Sequence, residues 1–197
     1  MNAVRDATPA DVDDCADVLS AAFADYPFTR HTIAGDDHAR RLRSCHELLL
    51  RAVGLPHGRV HVIDGPERID AVAVWTVSGP VVDQALVRVA PRLAELAGDR
   101  AAVAADVEDA LARLRPPGPF WFLAPVGVRP ARQGSGLCRA VLAPGLAAAD
   151  AERLPAFLET SSPVNVEIYR RMGFGVVAEI DLPHGGPRTW AMVRPVA

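Results

Sequence analysis

Lysine is absent from the 197-residue sequence, and all 21 cationic side chains other than histidine are arginine. That excludes a Walker-type phosphate loop, whose lysine reaches the terminal phosphates. Aromatic residues are scarce at 6%, so Ala, Val and Leu must fill most of the core. Cys15, Cys45 and Cys138 are odd in number and not closely paired, which argues against a disulfide framework and fits a reducing compartment. No apolar run reaches about 18 residues, so no membrane-spanning helix is expected, and no secretory leader is read at the N-terminus. The net charge of −3 and pI of about 6.1 leave no electrostatic footprint for nucleic acid or an anionic membrane. The expectation is a cytoplasmic monomer or homodimer with no nucleic-acid or membrane partner.

Half of the residues are hydrophobic, enough for one globular domain over 1–197 with a sizeable core. Its elements alternate. A short strand at Ala3–Asp6 leads to Thr8-Pro9, a helix cap followed by a first-position proline, with Asp11 three residues after the cap. Val12, Cys15, Val18, Leu19, Ala22 and Phe23 keep helical spacing. That helix should end near Asp25–Pro27, with a loop before a second helix from Asp36–Asp37. Strands at Arg59–Ile63 and Ile69–Val77 flank the turn Asp64-Gly65-Pro66. Residues 80–115 read as a helical insertion, stopped by Pro116-Pro117-Gly118-Pro119. Phe120–Val128 suits a buried central strand, in which Gly127 marks either a bulge or the close approach of another backbone. After a Gly-bearing turn comes a helix that Pro144 should distort or divide. A strand at Pro155–Thr160, a helix capped by Ser162 with Pro163 first, and strands at Gly175–Leu182 and Thr189–Val193 complete the chain. The class is mixed α/β, with about seven strands and helices on both faces.

Two stretches carry chemistry. In Val126-Gly127-Val128-Arg129-Pro130-Ala131-Arg132-Gln133-Gly134-Ser135-Gly136-Leu137-Cys138 a strand runs into a glycine turn that opens a helix. Free N–H groups and the helix dipole at such a turn suit phosphate, and glycine lets a pyrophosphate reach the backbone. Taken alone, the segment also reads as an ordinary tight strand-to-helix turn. The dinucleotide fingerprint fits poorly, because its third glycine is missing and the turn lies late in the chain. In the second stretch, Asn165 and Tyr169 stand four residues apart on the capped helix and share a face. Read without further context, Tyr169 is equally a core aromatic over Gly173-Phe174.

Val128, Pro130, Gln133, Gly134 and Gly136 resemble the acetyl-CoA motif V-x-P-x-x-Q-G-x-G-x-G/A of the GNAT acetyltransferases, and Cys138 departs from its final small residue. Asn165, Tyr169, Gly173 and Phe174 resemble the N-x-x-x-Y-x-x-x-G-F motif of the same superfamily. The resemblance implies a mostly antiparallel twisted sheet. It also implies acetyl-CoA bound along Val126, Gly127, Val128, Gln133, Gly134, Ser135, Gly136, Leu137, Cys138 and Asn165, with Tyr169 as the acid for the leaving thiolate. The segments Ala21–Thr32, Ala71–Thr76, Ala90–Leu96, Pro155–Ser161 and Gly186–Met192 further resemble the puromycin N-acetyltransferases, in order over nearly the whole chain. This implies a small-molecule primary amine as acceptor, in that family an aminoacyl-nucleoside antibiotic. The departures fall in 33–45, 80–88 and the cofactor turn.

An aminoacyl α-amine has a pKa near or below about 8, so a useful fraction is neutral at about pH 7 and a strong general base is not required. Glu159, at the end of its strand beside the capped helix, is the candidate proton acceptor. A strand bulge near Gly127 would free a backbone N–H, that of Val128, to polarise the thioester oxygen. Tyr26, Phe28 and His31 are candidate acceptor contacts, and Trp75, Trp121 and Trp190 are candidate stacking surfaces. His57 and His61 have metal-pair spacing but no third ligand nearby, so no metal is expected.

Overall fold

The computed structural model of the protein describes residues 3–196. Seven strands, β1 (Val4–Asp6), β2 (Gly58–Asp64), β3 (Ile69–Val77), β4 (Trp121–Val128), β5 (Ala156–Thr160), β6 (Gly175–Asp181) and β7 (Arg188–Arg194), form one sheet in the order β1-β2-β3-β4-β5-β7-β6. Eight helices surround it: α1 (Val12–Phe23), α2 (Pro27–Thr32), α3 (His38–Leu49), α4 (Leu55–His57), α5 (Pro80–Ala97), α6 (Ala101–Ala112), α7 (Leu137–Glu152) and α8 (Pro163–Arg170). All neighbouring strands are antiparallel except β4 and β5. The chain between those two is α7, the crossover that parallel strands require.

Strand alternation divides the core. Val60, Val62, Val72 and Val74 pack under Val12, Cys15, Val18 and Leu19 of α1. Ile63, Ala71, Ala73 and Trp75 face the other way, against Val141, Leu142 and Ala149 of α7, and Tyr169 of α8 joins that layer. Period-two burial on the strands thus meets a 3.6-residue stripe on each helix. The entry to α1 is fixed as the sequence indicates. Thr8 donates both its N–H and its hydroxyl to Asp11, at 2.7 and 2.8 Å, and Arg5 clamps the same carboxylate.

Three sequence expectations are corrected. The loop expected before the second helix contains α2, with Tyr26 at its cap and Pro27 in its first turn; six residues are too few to show a periodicity. Pro144 neither ends nor divides α7, which runs unbroken from Leu137 to Glu152. The bulge in β4 is not at Gly127. Ala73 faces Val126 and Trp75 faces Leu123, so Ala124 and Pro125 together oppose Val74. Gly127 is regularly paired with Val72. Its missing side chain accommodates α1, because a Cβ there would lie 3.1 Å from Ala22 and from Leu19.

His46 on α3 is buried against Phe23, with Ser20 Oγ 3.3 Å from its Nδ1. Burial pushes its pKa down to about 4. A depressed folded-state value stabilises the fold above the unfolded pKa of about 6.5, and that contribution fades as pH falls towards 4. Its full size is on the order of 3 kcal/mol. In urea titrations, His46→Leu should lose less stability than the parent between pH 7.5 and pH 4. Equal losses would refute the assignment.

Candidate acetyl-transfer site

The bulge creates the site. β4 and β5 pair only at Trp121↔Ala156 and Phe122↔Phe157, before Ala124-Pro125. A bulge turns its strand, and proline has no N–H to continue a ladder. Beyond it β4 stays with β3 and β5 stays with β7, so the C-terminal halves of the two parallel strands part into a notch.

Backbone groups of β4 point into that notch. Arg129 N–H donates to Asp70 O at 2.9 Å. By antiparallel alternation, Gly127 also turns towards β3, and Val126 and Val128 turn away from it. The Gln133 side chain agrees, reaching Val128 O from Nε2 at 3.3 Å. By this alternation the Val128 N–H faces the notch, and the bulge that opens the notch lies nearer the start of β4.

The turn after β4 is built for close approach. Gly134 and Gly136 have φ of +77° and +82°, with open space where a Cβ would stand. The first intrahelical bond of α7 runs from Ala140 N to Gly136 O, so the N–H groups of Leu137, Cys138 and Arg139 precede the helical ladder. Ser135 Oγ bonds back to Arg132 O and holds the turn. Arg129 is tied to Asp14 and to Ile69 O, and Arg132 lies 3.1 Å from Asp70. The turn thus offers open backbone at both glycines, the feature the sequence reads as a phosphate site. Gly136→Ala meets no clash but a left-handed backbone, a strain of about 1–2 kcal/mol. Its expected effect is a several-fold higher KM for acetyl-CoA with little change in kcat, and an unchanged KM would contradict this use of the turn.

A cavity of about 410 Å³ opens beside the turn, lined by Ala21–Ala22, Ala24–Pro27, Pro130, Gln133 and Ser161–Pro163. Tyr26 closes it at the notch. Its hydroxyl accepts from Ser161 N–H at 2.6 Å and shares a hydrogen bond with Thr160 Oγ1 at 2.9 Å. Asn165 Nδ2 donates to the same Thr160 oxygen at 3.4 Å. Ser162 Oγ accepts from Asn165 N–H, as expected of the cap of α8. Thr160 and Ser161, missed in the sequence, are the partners through which Tyr26 reaches this strand end; their only signal is adjacency to the Ser162-Pro163 cap.

Tyr169 and Glu159 flank β5 from opposite faces. Tyr169 packs with Leu158 and Met192 on the α7–α8 side, edge-on to Phe174. It is part of the core, and Cys138 at the start of α7 and Tyr26 are its neighbouring titratable groups. Burial raises its pKa above the ordinary phenol value, so it stays protonated across neutral pH. Glu159 follows Leu158 and so points to the α1–α6 side, with Phe157 and Ala191 around it. Burial raises its pKa to about 7, against the opposing pull of Arg115. Cys138 is half-buried at the start of α7, and burial raises its thiol pKa.

The remaining acceptor candidates are not brought to the cavity. Phe28 joins Val107, Leu111 and Leu182 in a cluster between α2, α6 and the end of β6. His31 is bound through Nε2 to Pro183 O at 2.9 Å and lies against Gly186, which ties α2 to the β6–β7 loop. Trp75 and Trp121 are buried in the core. Trp121 opens β4, seven residues or about 23 Å from the turn-bearing end, and donates to Glu152 at 3.0 Å. The Trp75 indole packs against α7 where Gly145 leaves room. Trp190 is half-buried opposite Thr160, its Nε1 donating to Glu179 at 2.8 Å. None of the three lines the cavity, and neither do Tyr169 on α8 and Glu159 on β5.

No family model matches the chain. Solved structures do. A histone acetyltransferase HPA2 and related acetyltransferase from Corynebacterium glutamicum is 29% identical, covering 100% of this chain and 98% of that one, with a TM-score of 0.77. A polyamine N-acetyltransferase from Drosophila melanogaster is 15% identical over 98% of this chain and 99% of its own, with a TM-score of 0.63. The ribosomal-protein-S18-alanine N-acetyltransferase from Escherichia coli is 14% identical over 100% and 95%, with a TM-score of 0.60. The latter two likenesses are of fold alone. The fold is that of the GNAT acetyltransferases, and the likeness supports an acetyltransferase. Among the described residues, no helix is long and apolar enough to cross a membrane, and no cluster of three metal-ligating side chains occurs.

Proposed function

We propose that the protein transfers acetyl from acetyl-CoA to the primary amine of a small molecule of the aminoacyl-nucleoside type, such as puromycin. The observation that carries the transfer reaction is the parted β4–β5 pair, with the Val128 N–H inside it and the glycine turn at its mouth. The puromycin-like acceptor rests on the ordered sequence resemblance from about Ala21 to Arg194.

When bound, acetyl-CoA supplies the acetyl group as a thioester. Gln133 through Cys138 and Asn165 hold the phosphates and the pantetheine arm. The Val128 N–H stabilises negative charge on the carbonyl oxygen as the amine attacks. Glu159, with a pKa of about 7, takes the proton that the amine nitrogen releases on forming the new C–N bond. As the C–S bond breaks, Tyr169 gives its phenolic proton to the sulfur. Solvent then returns one proton to Tyr169 and removes one from Glu159. Tyr26, at the notch, is the acceptor contact among the three candidates of its segment.

A polyamine acceptor is less well supported. The one carboxylate lining the cavity, Asp25, is already paired with Arg30 at 2.7 Å. The test is to offer the enzyme acetyl-CoA with puromycin, agmatine and an alanine-terminated peptide in competition, and to weigh the products by mass spectrometry. N-acetylpuromycin should dominate. Preferential acetylation of agmatine or the peptide would overturn the acceptor class but keep the transfer reaction.

A further inference from the structure

The mechanism above leaves the charged partner of Glu159 unused. Arg115, in the segment after α6, faces Glu159 with its Nε 3.7 Å from Oε1, too far for a hydrogen bond. Both atoms are buried, and neither has a hydrogen-bond partner among the described residues. The guanidinium is held back from two sides. Its Nη2 pairs with Glu108 of α6 at 2.7 Å, and its plane lies 5.5 Å over the Phe122 ring, which stacks on Phe157.

We propose that Arg115 is a positioning residue for acetyl transfer: Glu108 anchors its guanidinium one hydrogen bond short of Glu159, which leaves that carboxylate free to take the acceptor's proton. The proposal rests on the reading of Glu159 as proton acceptor. The two extremes show why the spacing matters. A guanidinium closed onto Glu159 would form charge-assisted bonds that stabilise the carboxylate and make it a poor base. With no cation nearby, the carboxylate would stay protonated through neutral pH. At 3.7 Å the arginine opposes burial without saturating Glu159. The charged groups acting on Glu159 are Arg115 and Glu108, with opposite effects; the neighbouring positions on its face of the sheet, Phe157 and Ala191, are apolar. The last residue of the helical insertion thus positions a group of the catalytic machinery, a role that the resemblance does not assign.

The test compares the parent with Arg115→Gln and Glu108→Gln, reading the pH dependence of kcat and the titration of the Glu159 carboxyl carbon by NMR, assigned by its loss in Glu159→Gln. Arg115→Gln should move both midpoints up by about one pH unit. Glu108→Gln, on the exposed side of α6, should move both down by letting Arg115 close on Glu159. A fall in kcat at every pH with both midpoints unmoved is what a merely structural arginine gives, and it would overturn the proposal. If the NMR titration moves in opposite directions in the two variants while the kcat profile does not, the tether stands and the reading of Glu159 as proton acceptor falls.

Discussion

Tyr169→Phe is expected to lower kcat at least about 100-fold, the usual worth of a positioned acid, while the Kd for acetyl-CoA stays within about threefold. The phenyl ring carries the packing against Leu158, Met192 and Phe174, and phenylalanine keeps it. The hydroxyl makes no hydrogen bond among the described residues, so its removal leaves no orphaned partner and should cost little stability. The phenol is protonated at neutral pH, so its proton is available when the sulfur becomes a thiolate. Steady-state rates and calorimetry separate the two quantities. Parallel loss of rate and affinity would make Tyr169 a packing residue at the cofactor turn.

Glu159→Gln should produce a protein that is slower and also more stable. A pKa raised from 4.5 to about 7 means that the folded state holds this proton more tightly than the unfolded chain does. The stability it contributes is fully present below about pH 4.5 and is lost as pH rises through 7. Above pH 7 the parent therefore carries the cost of a buried carboxylate, which glutamine avoids. The variant should gain roughly 1–3 kcal/mol at pH 8, with a smaller difference at pH 5. Its kcat should fall about 10- to 100-fold and lose the limb near pH 7. Such an exchange of stability for rate is common at catalytic carboxylates. A variant of unchanged rate would leave proton removal to water, and one destabilised at pH 8 would show that the Arg115 contact outweighs burial.

The strands and long helices were legible because their periodicity spans enough residues to stand out, and because Thr8-Pro9 and Ser162-Pro163 are caps with a local mechanism. The glycine turn after β4 was legible for a similar reason, since Gly134 and Gly136 answer a backbone demand that sequence displays directly. What was not legible depends on distance in the chain. Placing the bulge at Ala124-Pro125 rather than Gly127 needs the register against β3, and Gly127 looks the same in sequence whether it kinks a strand or admits α1. Trp75 on β3 and Trp121 on β4 carry no mark in sequence of which end of the sheet they occupy. His31 reads as a loop histidine until the β6–β7 loop folds over it. Arg115 stands before Pro116-Pro117, where nothing announces that it will face Glu159, 44 positions later.

The most direct test is a crystal structure of the protein with acetyl-CoA. The account predicts the thioester carbonyl within hydrogen-bond distance of the Val128 N–H, between the parted halves of β4 and β5, and the pyrophosphate on the N–H groups of Gln133–Cys138. Acetyl-CoA bound away from this notch, or a thioester turned away from Val128 and Tyr169, would contradict it.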